Sequence, residues 1–262
     1  MLIAAAVCPH PPVLIPAAMG TAGAGPELAD LRAACAAAAR GLVRAGPDLI
    51  VIVGSGPVSR TYPWPSAASL YRYGVPWATS PGPSVLPLSL TAGTWLLTGA
   101  FAPDRAGGTG GAGTGRAVRA EAGAAAVLMR AVAVSAPPGA CLRLGVRLAG
   151  LAPRVAMLVM GDASAKKAIG VPGAPDPEAE GYDARIAAAL AAADAGPLAR
   201  LDPAQAAELR VTGRAPWQVL AGAAAGTQGL RGLLRHHSAP YDVTYLVASW
   251  AAGPAAAAAL AH

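Results

Sequence analysis

The amino-acid sequence predicts an α/β fold in one domain, with a mostly parallel central sheet and helices on both faces. Two apolar runs, 1–7 and 48–53, have the composition of strands that are covered on both faces, and a helical pattern at 27–44 lies between them. A third apolar run, 154–160, follows a predicted helix at 117–134. Because parallel strands need a long crossover connection, this alternation is typical of a parallel sheet.

The first strand runs into a rigid loop. It ends at Cys8-Pro9-His10-Pro11-Pro12, where prolines prevent both helix formation and ladder hydrogen bonds. The helix that follows has Pro26 at its start and Gly46 beyond its end, as helix termini prefer. The second strand leads into residues 54–85, which are rich in Gly, Pro, Ser, Tyr and Trp without periodicity and predict a long loop.

The second half of the chain continues the alternation. Residues 86–97 are apolar and are expected to pass from a strand into a short helix. The glycine-rich stretch 107–115 lacks the Gly-Lys-Ser/Thr end of a phosphate-binding loop, so we expect no such site there. The further predicted elements are helices at 117–134, 179–193, 203–209 and 217–225, a last strand at 242–250 and a loose tail at 251–261.

Composition argues against two classes of partner. The net charge is +6, from 20 basic and 14 acidic residues, but the basic residues are scattered and do not alternate with aromatic residues. We therefore expect no nucleic-acid partner. Although 54% of the residues are hydrophobic, no run reaches the ~18 to 20 strongly apolar residues of a spanning helix, so we expect no membrane partner.

Cysteine usage predicts a reducing compartment. Cys8, Cys35 and Cys141 are far apart and form no C-x-x-C pair, so neither a disulfide framework nor a zinc knuckle is expected. The first residues, 1–7, carry no basic side chain and are followed at once by prolines, unlike a signal peptide. We expect a cytoplasmic protein.

Two polar residues follow predicted strands at their carboxyl ends, where open α/β sheets place ligand sites. His10 comes after the first strand, between prolines, and Asp162 follows the run 154–160 within Gly161-Asp162-Ala163-Ser164. If these strands are parallel and close in one sheet, the two side chains share one crevice and lie within roughly 12 Å of each other. The alternatives are a structural turn histidine and an aspartate that caps the next segment.

Other polar residues are weaker candidates. Ser55, in Gly54-Ser55-Gly56, lacks the G-x-S-x-G of a nucleophile elbow and is expected in an ordinary polar turn; the same segment lacks the helix that a dinucleotide loop requires. Arg214 could bind an anionic substrate or simply lie exposed before a helix. His236 and His237 are expected to be solvated in a turn before the last strand.

Four segments together resemble the class III extradiol ring-cleavage dioxygenase family, whose fold the Memo-like proteins share. They are Cys8-Pro9-His10-Pro11-Pro12, Asp48-Leu-Ile-Val-Ile-Val53, Gly161-Asp162-Ala163-Ser164 and Pro240-Tyr-Asp-Val-Thr-Tyr-Leu-Val-Ala-Ser-Trp250. The resemblance spans nearly the whole chain and implies a single α/β domain with a cleft at the strand ends. Active members of the family bind Fe(II) with two histidines and a carboxylate and cleave catechol-type rings with O₂.

Residue by residue, the resemblance places only His10 on an iron ligand of the family. Gly56 stands where the second histidine is expected, and Ala165 replaces the catalytic histidine of a Gly-Asp-x-Ser-His motif. Thr212 stands near the third ligand, which is Glu or, in Memo-like relatives, Cys. A facial triad needs three protein donors, so the resemblance implies this fold with a degenerate metal site.

Three functional hypotheses follow. The first is a family member without the dioxygenase reaction, whose cleft binds a small molecule beside the catalytic residues His10 and Asp162 and uses no cofactor. The second is an active oxidoreductase in which Fe(II) or another divalent metal binds at His10 together with Asp162 or His237. The third is a protein-interaction module that uses the aromatic loop 62–77. The candidate substrate-binding residues are Ser55, Ser164, Thr212 and Arg214, and a homo-oligomer stays open in all three.

Overall fold

A seven-stranded sheet forms the centre of the structure, a computed structural model that describes residues 1–15, 26–80, 84–101, 125–165, 176–240 and 243–260. The strands in these ranges are β1 (Leu2–Cys8), β2 (Leu49–Gly56), β3 (Arg60–Pro63), β4 (Ala126–Ala133), β5 (Val155–Met160), β6 (Leu230–Ser238) and β7 (Tyr245–Ala252). Their spatial order is β3-β4-β2-β5-β1-β7-β6.

The four central strands, β4, β2, β5 and β1, are parallel, so their carboxyl ends lie at one edge of the sheet. Within this centre Val159 of β5 pairs with Val7 on one side and with Val53 on the other. On one flank β3 is antiparallel to β4; on the other, β7 is antiparallel to β1 and β6 is antiparallel to β7. The predicted strands at 1–7, 48–53 and 154–160 are therefore confirmed as parallel strands of one sheet, and the sheet as a whole is mixed.

Helices cover both faces of the sheet, as predicted. The described helices are α1 (Pro26–Arg44), α2 (Leu88–Phe101), α3 (Pro138–Ala149), α4 (Pro177–Ala192), α5 (Ala195–Ala199), α6 (Pro203–Glu208), α7 (Arg214–Ala224) and α8 (Ala255–Leu260). α1, α2 and α8 pack on one face, and α3 to α7 pack on the other. The side chains of β2 alternate between the two layers: Ile50 and Ile52 face the first, and Val51 and Val53 face the second.

α3 and α7 approach each other at glycines. A Cβ on Gly145 would lie 2.0 Å from the carbonyl oxygen of Val219, and a Cβ on Gly222 would lie 2.1 Å from that of Leu142. Glycine at both positions therefore allows the two helix backbones to touch. The contact joins the middle of α3 to the second half of α7.

The predicted helix at 117–134 is wrong where the structure describes it. Residues 126–133 form β4, which pairs with β2 and β3. Ala, Leu and Met give this segment a helical propensity, but strand pairing on both sides overrides such a preference. Residues 117–124 and the glycine-rich stretch 107–115 lie outside the described residues.

Smaller differences occur elsewhere in the described part of the chain. His236 and His237 lie within β6 rather than in a turn, because residues 230–238 pair with β7. The predicted loop at 54–85 contains β3, α2 begins at Leu88 without a preceding strand, and the tail contains α8. α3 was not predicted. None of the described helices is long and apolar enough to cross a membrane.

Candidate functional site

Three segments meet at the carboxyl edge of the sheet. The loops after β1 and β5 are joined there, since the N–H of Gly161 donates to the carbonyl of Cys8 at 3.0 Å. The segment before β7 also reaches this edge because β7 is antiparallel to β1. Ala163 N–H donates to the carbonyl of Thr244 at 3.2 Å, and Thr244 N–H donates to that of Ser164 at 2.9 Å. These bonds hold the residues after β1 and β5 in place.

His10 and Asp162 are in contact at this edge. The backbone N–H of His10 donates to Asp162 Oδ1 at 2.8 Å, and the imidazole Nδ1 lies 3.5 Å from the same oxygen. The side chains of His10 and Asp162 are 9% and 16% exposed. Nδ1 has no hydrogen-bond partner among the described residues, so its approach to the carboxylate is electrostatic. The expected proximity of the two residues is confirmed.

Thr212 and Gly213 support the Asp162 backbone from the side of α7. The hydroxyl of Thr212 accepts the N–H of Asp162 at 3.1 Å, and the N–H of Gly213 donates to the carbonyl of Asp162 at 2.9 Å. A Cβ on Gly161 would lie 2.4 Å from the Cα of Gly213, so this approach requires glycine. Thr212, expected to bind substrate, is thus half-buried and bonded to Asp162.

Ser164 is held by an acidic residue that the sequence analysis missed. Its hydroxyl donates to Asp183 Oδ2 at 2.5 Å, and its N–H donates to Asp183 Oδ1 at 3.1 Å. Both residues are buried. The available signal was an aspartate on the apolar face of α4, between Ala179 and Ile186, because a buried carboxylate needs a partner.

Arg214 is buried and bound to internal acceptors, so the expectation of an exposed arginine before α7 is wrong, and its guanidinium is not placed to bind an anionic substrate. It is 3% exposed. Its guanidinium donates to the carbonyl of Ala136 at 2.6 Å, to Gln218 Oε1 at 3.0 Å and to the carbonyl of Val134. Arg214 therefore joins the start of α7 to the segment that precedes α3. Its guanidinium is buried because these acceptors replace the hydrogen bonds that it would form with water.

Ser55 is buried near the end of β2, within the strand rather than in a turn. Its carbonyl accepts a hydrogen bond from the hydroxyl of Ser89 in α2 at 2.5 Å. A Cβ on the neighbouring Gly54 would lie 2.5 Å from the same hydroxyl. In the described part of the chain, no hydrogen bond joins Ser55 to His10 or Asp162. Ser89 is a further residue that the sequence analysis did not identify.

Two buried thiols lie on the α1 side of the site. Cys8 ends β1, and Cys35 lies in α1. Burial raises the pKa of the Cys35 thiol well above its usual range, and a hydrogen bond with Cys8 and the charges of Cys8 and Asp162 raise it further. Cys35 is therefore protonated at neutral pH, and a protonated thiol is neither a nucleophile nor a metal ligand.

The residues present do not fit the iron site that the family resemblance implies. Gly56 and Ala165 bring no donor atom, and a Cβ on Gly56 would already lie 3.3 Å from that of Ala131. The Thr212 hydroxyl is engaged by Asp162. Across the described ranges, no group of three or more His, Cys, Asp or Glu residues could hold a metal ion.

His236 and His237 are consecutive residues of β6. His236 Nε2 lies 2.7 Å from the hydroxyl of Ser238. Burial lowers the pKa of His236, the charge of His237 lowers it further, and the charge of Asp30 acts in the opposite direction. His237 is exposed and belongs to no metal-binding group with His10 in the described part of the chain.

The aromatic loop 62–77 points largely inward. Tyr62 is buried in β3, Trp64 and Trp77 are half-buried against the core, and Tyr73 packs against a small cluster formed by Ile15, Leu70 and Val75. Tyr71 is 60% exposed. Most of the aromatic area that a partner surface would use is thus already covered.

Comparison with known proteins supports the fold. No family model and no curated protein matches this chain. A crystal structure of the uncharacterized protein JW3007 from Escherichia coli K12 is similar, with a TM-score of 0.50 and 13% identity over 96% of this chain and 100% of that one. At this identity the likeness shows the fold alone, an α/β arrangement over almost the whole length.

Proposed function

We propose that the carboxyl edge of the sheet is a small-molecule site in which His10, oriented by Asp162, exchanges a proton with the bound molecule. The observation that carries this proposal is the contact of one carboxylate oxygen with both the backbone and the ring of His10, at 2.8 Å and 3.5 Å. A carboxylate beside one imidazole nitrogen orients the ring and leaves the other nitrogen to act on a ligand.

The environment of the pair supports this role. Nε2 of His10 forms no hydrogen bond within the described ranges, so it is the ring atom that can meet a ligand. Asp162 is fixed by Thr212 and Gly213 through its backbone, which holds the carboxylate in position while the imidazole gains or loses a proton. General acid–base catalysis of this kind contributes roughly 10²- to 10⁴-fold to a rate.

The second part of the proposal is that the iron-dependent ring cleavage of the family that the chain resembles has been lost. Gly56, Ala165 and Thr212 stand at the positions that the resemblance assigns to metal-site or catalytic residues, and none of them brings an imidazole or a carboxylate. His10 therefore acts without a facial triad. The three free, buried cysteines fit a reducing cytoplasm as the working compartment.

The test uses 4-nitrocatechol, a catechol-type molecule whose absorbance reports its own ionisation. We expect a saturable change of its spectrum on titration with the protein, the loss of that change in His10→Ala, and its retention in His237→Ala. With catechol as the substrate and the protein reconstituted with Fe(II), an oxygen electrode should record no uptake.

Two results would contradict the proposal. A spectral change that persists in His10→Ala, or no saturable change at all, refutes proton exchange at this residue. Oxygen uptake with a yellow ring-fission product, abolished in His10→Ala, refutes the loss of the dioxygenase reaction.

A further inference from the structure

A cleft of about 600 Å³ opens between α4, α5 and α6, away from the His10–Asp162 contact. Its walls are largely apolar and include Ile186 and Ala189 of α4, Pro197 of α5 and Leu201. This volume lies within the ~300–1,000 Å³ range of small-molecule sites. None of the residues that line the cleft belongs to the carboxyl-edge site, so it constitutes a second candidate site.

Tyr182 lines this cleft, and its hydroxyl is buried behind the wall without a hydrogen-bond partner among the described residues. Tyr182 is 1% exposed. Burial and, secondarily, the charge of Asp183 raise the pKa of Tyr182, so the hydroxyl is a proton donor at neutral pH. A buried donor without an acceptor is costly, and an oxygen atom of a bound molecule would supply the missing acceptor.

Arg185 and Arg200 bring positive charge to the same cleft. Both side chains are exposed, and neither forms an ion pair in the described part of the chain. The guanidinium of Arg185 lies 5.7 Å from the centre of the Tyr182 ring, so its positive charge is close to this tyrosine. Arg200 lies over α5, where a Cβ on Gly196 would be 3.3 Å from its Nη1.

Two acidic residues of the cleft limit the charge that a ligand can carry. Asp194 accepts the N–H of Gly196 at 2.9 Å, and Asp202 accepts the N–H of Gln205 at 2.8 Å, as helix N-caps. Their charges offset part of the field of the two arginines. The cleft therefore suits a singly charged carboxylate better than a phosphate group, which carries about two negative charges at neutral pH.

We propose that this cleft binds a small carboxylic acid with an aromatic or apolar body and a second polar oxygen at its far end. The carboxylate pairs with Arg185 and Arg200, because guanidinium groups bind carboxylates through paired hydrogen bonds. The body of the ligand packs against the apolar walls, and the distal oxygen accepts the hydrogen bond of the Tyr182 hydroxyl.

Isothermal titration calorimetry with two probes tests this assignment. 4-Hydroxybenzoate carries the distal oxygen and benzoate lacks it, so we expect both to bind saturably, with 4-hydroxybenzoate tighter. Arg185→Ala and Arg200→Ala should each weaken both probes about tenfold, since each removes a charge-assisted contact. Arg143→Ala removes an exposed arginine of α3 outside the cleft and should leave both affinities unchanged.

Tyr182→Phe removes the hydroxyl and keeps the ring, so it tests the contribution of the hydroxyl alone. We expect the affinity for 4-hydroxybenzoate to fall to that for benzoate, while the affinity for benzoate changes less than about twofold. If this variant does not fold, the two exposed arginine variants still decide the outcome. No saturable binding of either acid, unchanged affinity in both arginine variants, or loss of binding in His10→Ala would overturn the proposal, the last because it would place the acid at the carboxyl edge.

Discussion

Oδ1 of Asp162 accepts the backbone N–H of His10 and also lies 3.5 Å from the Nδ1 of the same residue. The two residues are 152 positions apart in the chain and meet because β1 and β5 are adjacent parallel strands. Asp162 thus supports the loop after β1 as well as the imidazole. Removal of its carboxylate should therefore affect stability as well as ligand binding.

Asp162→Ala should lower the free energy of unfolding by about 1–3 kcal/mol, because the N–H of His10 loses its acceptor in a largely buried position. Asp162→Asn keeps an oxygen that can accept this N–H and should cost less. Urea unfolding followed by circular dichroism measures both values. Equal losses in the two variants would show that the hydrogen bond to His10 is not what Asp162 contributes to stability.

Gly161→Ala should destabilise the protein by about 1–3 kcal/mol, because the new Cβ would meet the Cα of Gly213 and force the two backbones apart. Gly226→Ala is the matched control, since a Cβ there meets nothing within 4 Å. Thermal unfolding of the two variants decides the matter. A loss for Gly161→Ala no larger than that for Gly226→Ala would contradict the close approach.

Asp183→Ala should lower the free energy of unfolding by about 2–4 kcal/mol, because it leaves both the N–H and the hydroxyl of Ser164 without an acceptor in the core. Ser164→Ala should cost less in the Asp183→Ala background than in the wild-type protein, since the partner is already gone. A double-mutant cycle from urea unfolding gives this coupling. Strict additivity of the two substitutions would rule out the pairing.

Arg214→Ala should destabilise the protein by about 2–4 kcal/mol, since three acceptors, including the carbonyls of Val134 and Ala136, lose their donor. Arg214→Lys should recover only part of this loss, because an ammonium cannot reproduce the planar arrangement of the guanidinium donors. Chemical denaturation provides the measurement, with the exposed Arg143→Ala as control. If Arg214→Ala were as stable as the wild-type protein, the buried hydrogen bonds of this arginine would not contribute to stability.

The stability of the protein should depend on His236 in mildly acidic solution. Burial lowers the pKa of His236 from its usual 6.5, so the unfolded chain takes up this proton more readily than the folded chain. The His236 contribution to stability is therefore complete above the usual value and is lost as the pH falls from there through the lowered one. His236→Gln should weaken the fall of the urea unfolding midpoint as the pH drops below the usual pKa of histidine.

His237→Gln, at an exposed position, is the control for that measurement and should leave the pH dependence as it is in the wild-type protein. An unchanged slope in His236→Gln would assign the acid sensitivity to other groups.

The sequence predicted β7 and three of the four parallel strands at the centre of the sheet, but not β3, β4 or β6. Continuous apolar runs at 1–7, 48–53 and 154–160 are typical of strands that are covered on both faces, and each lies on an observed strand, β1, β2 or β5. β4 escaped prediction because its Ala- and Leu-rich sequence resembles a helix. β6 did so because its side chains are mostly half-buried and polar residues interrupt the run.

The candidate site could also be predicted only in part. The proximity of His10 and Asp162 followed from a rule about strand ends, which needs only the order of the elements. The two carbonyl groups that Arg214 binds lie 78 and 80 positions earlier in the chain, and no local sequence pattern predicts such a contact. The position of Asp183 on the apolar face of α4 indicated that it needs a partner, but no local pattern identified that partner as Ser164.

The position of β1 inside the sheet has a consequence for biosynthesis. Among the described strands β1 is synthesised earliest, but its two neighbours in the sheet are β5 (Val155–Met160) and β7 (Tyr245–Ala252), which are synthesised much later. An apolar strand with unpaired edges is a template for aggregation. We therefore expect the nascent chain to need protection from aggregation until β7 has been synthesised. A message truncated before β7 should yield a product that aggregates, because β1 then lacks its neighbour on one side.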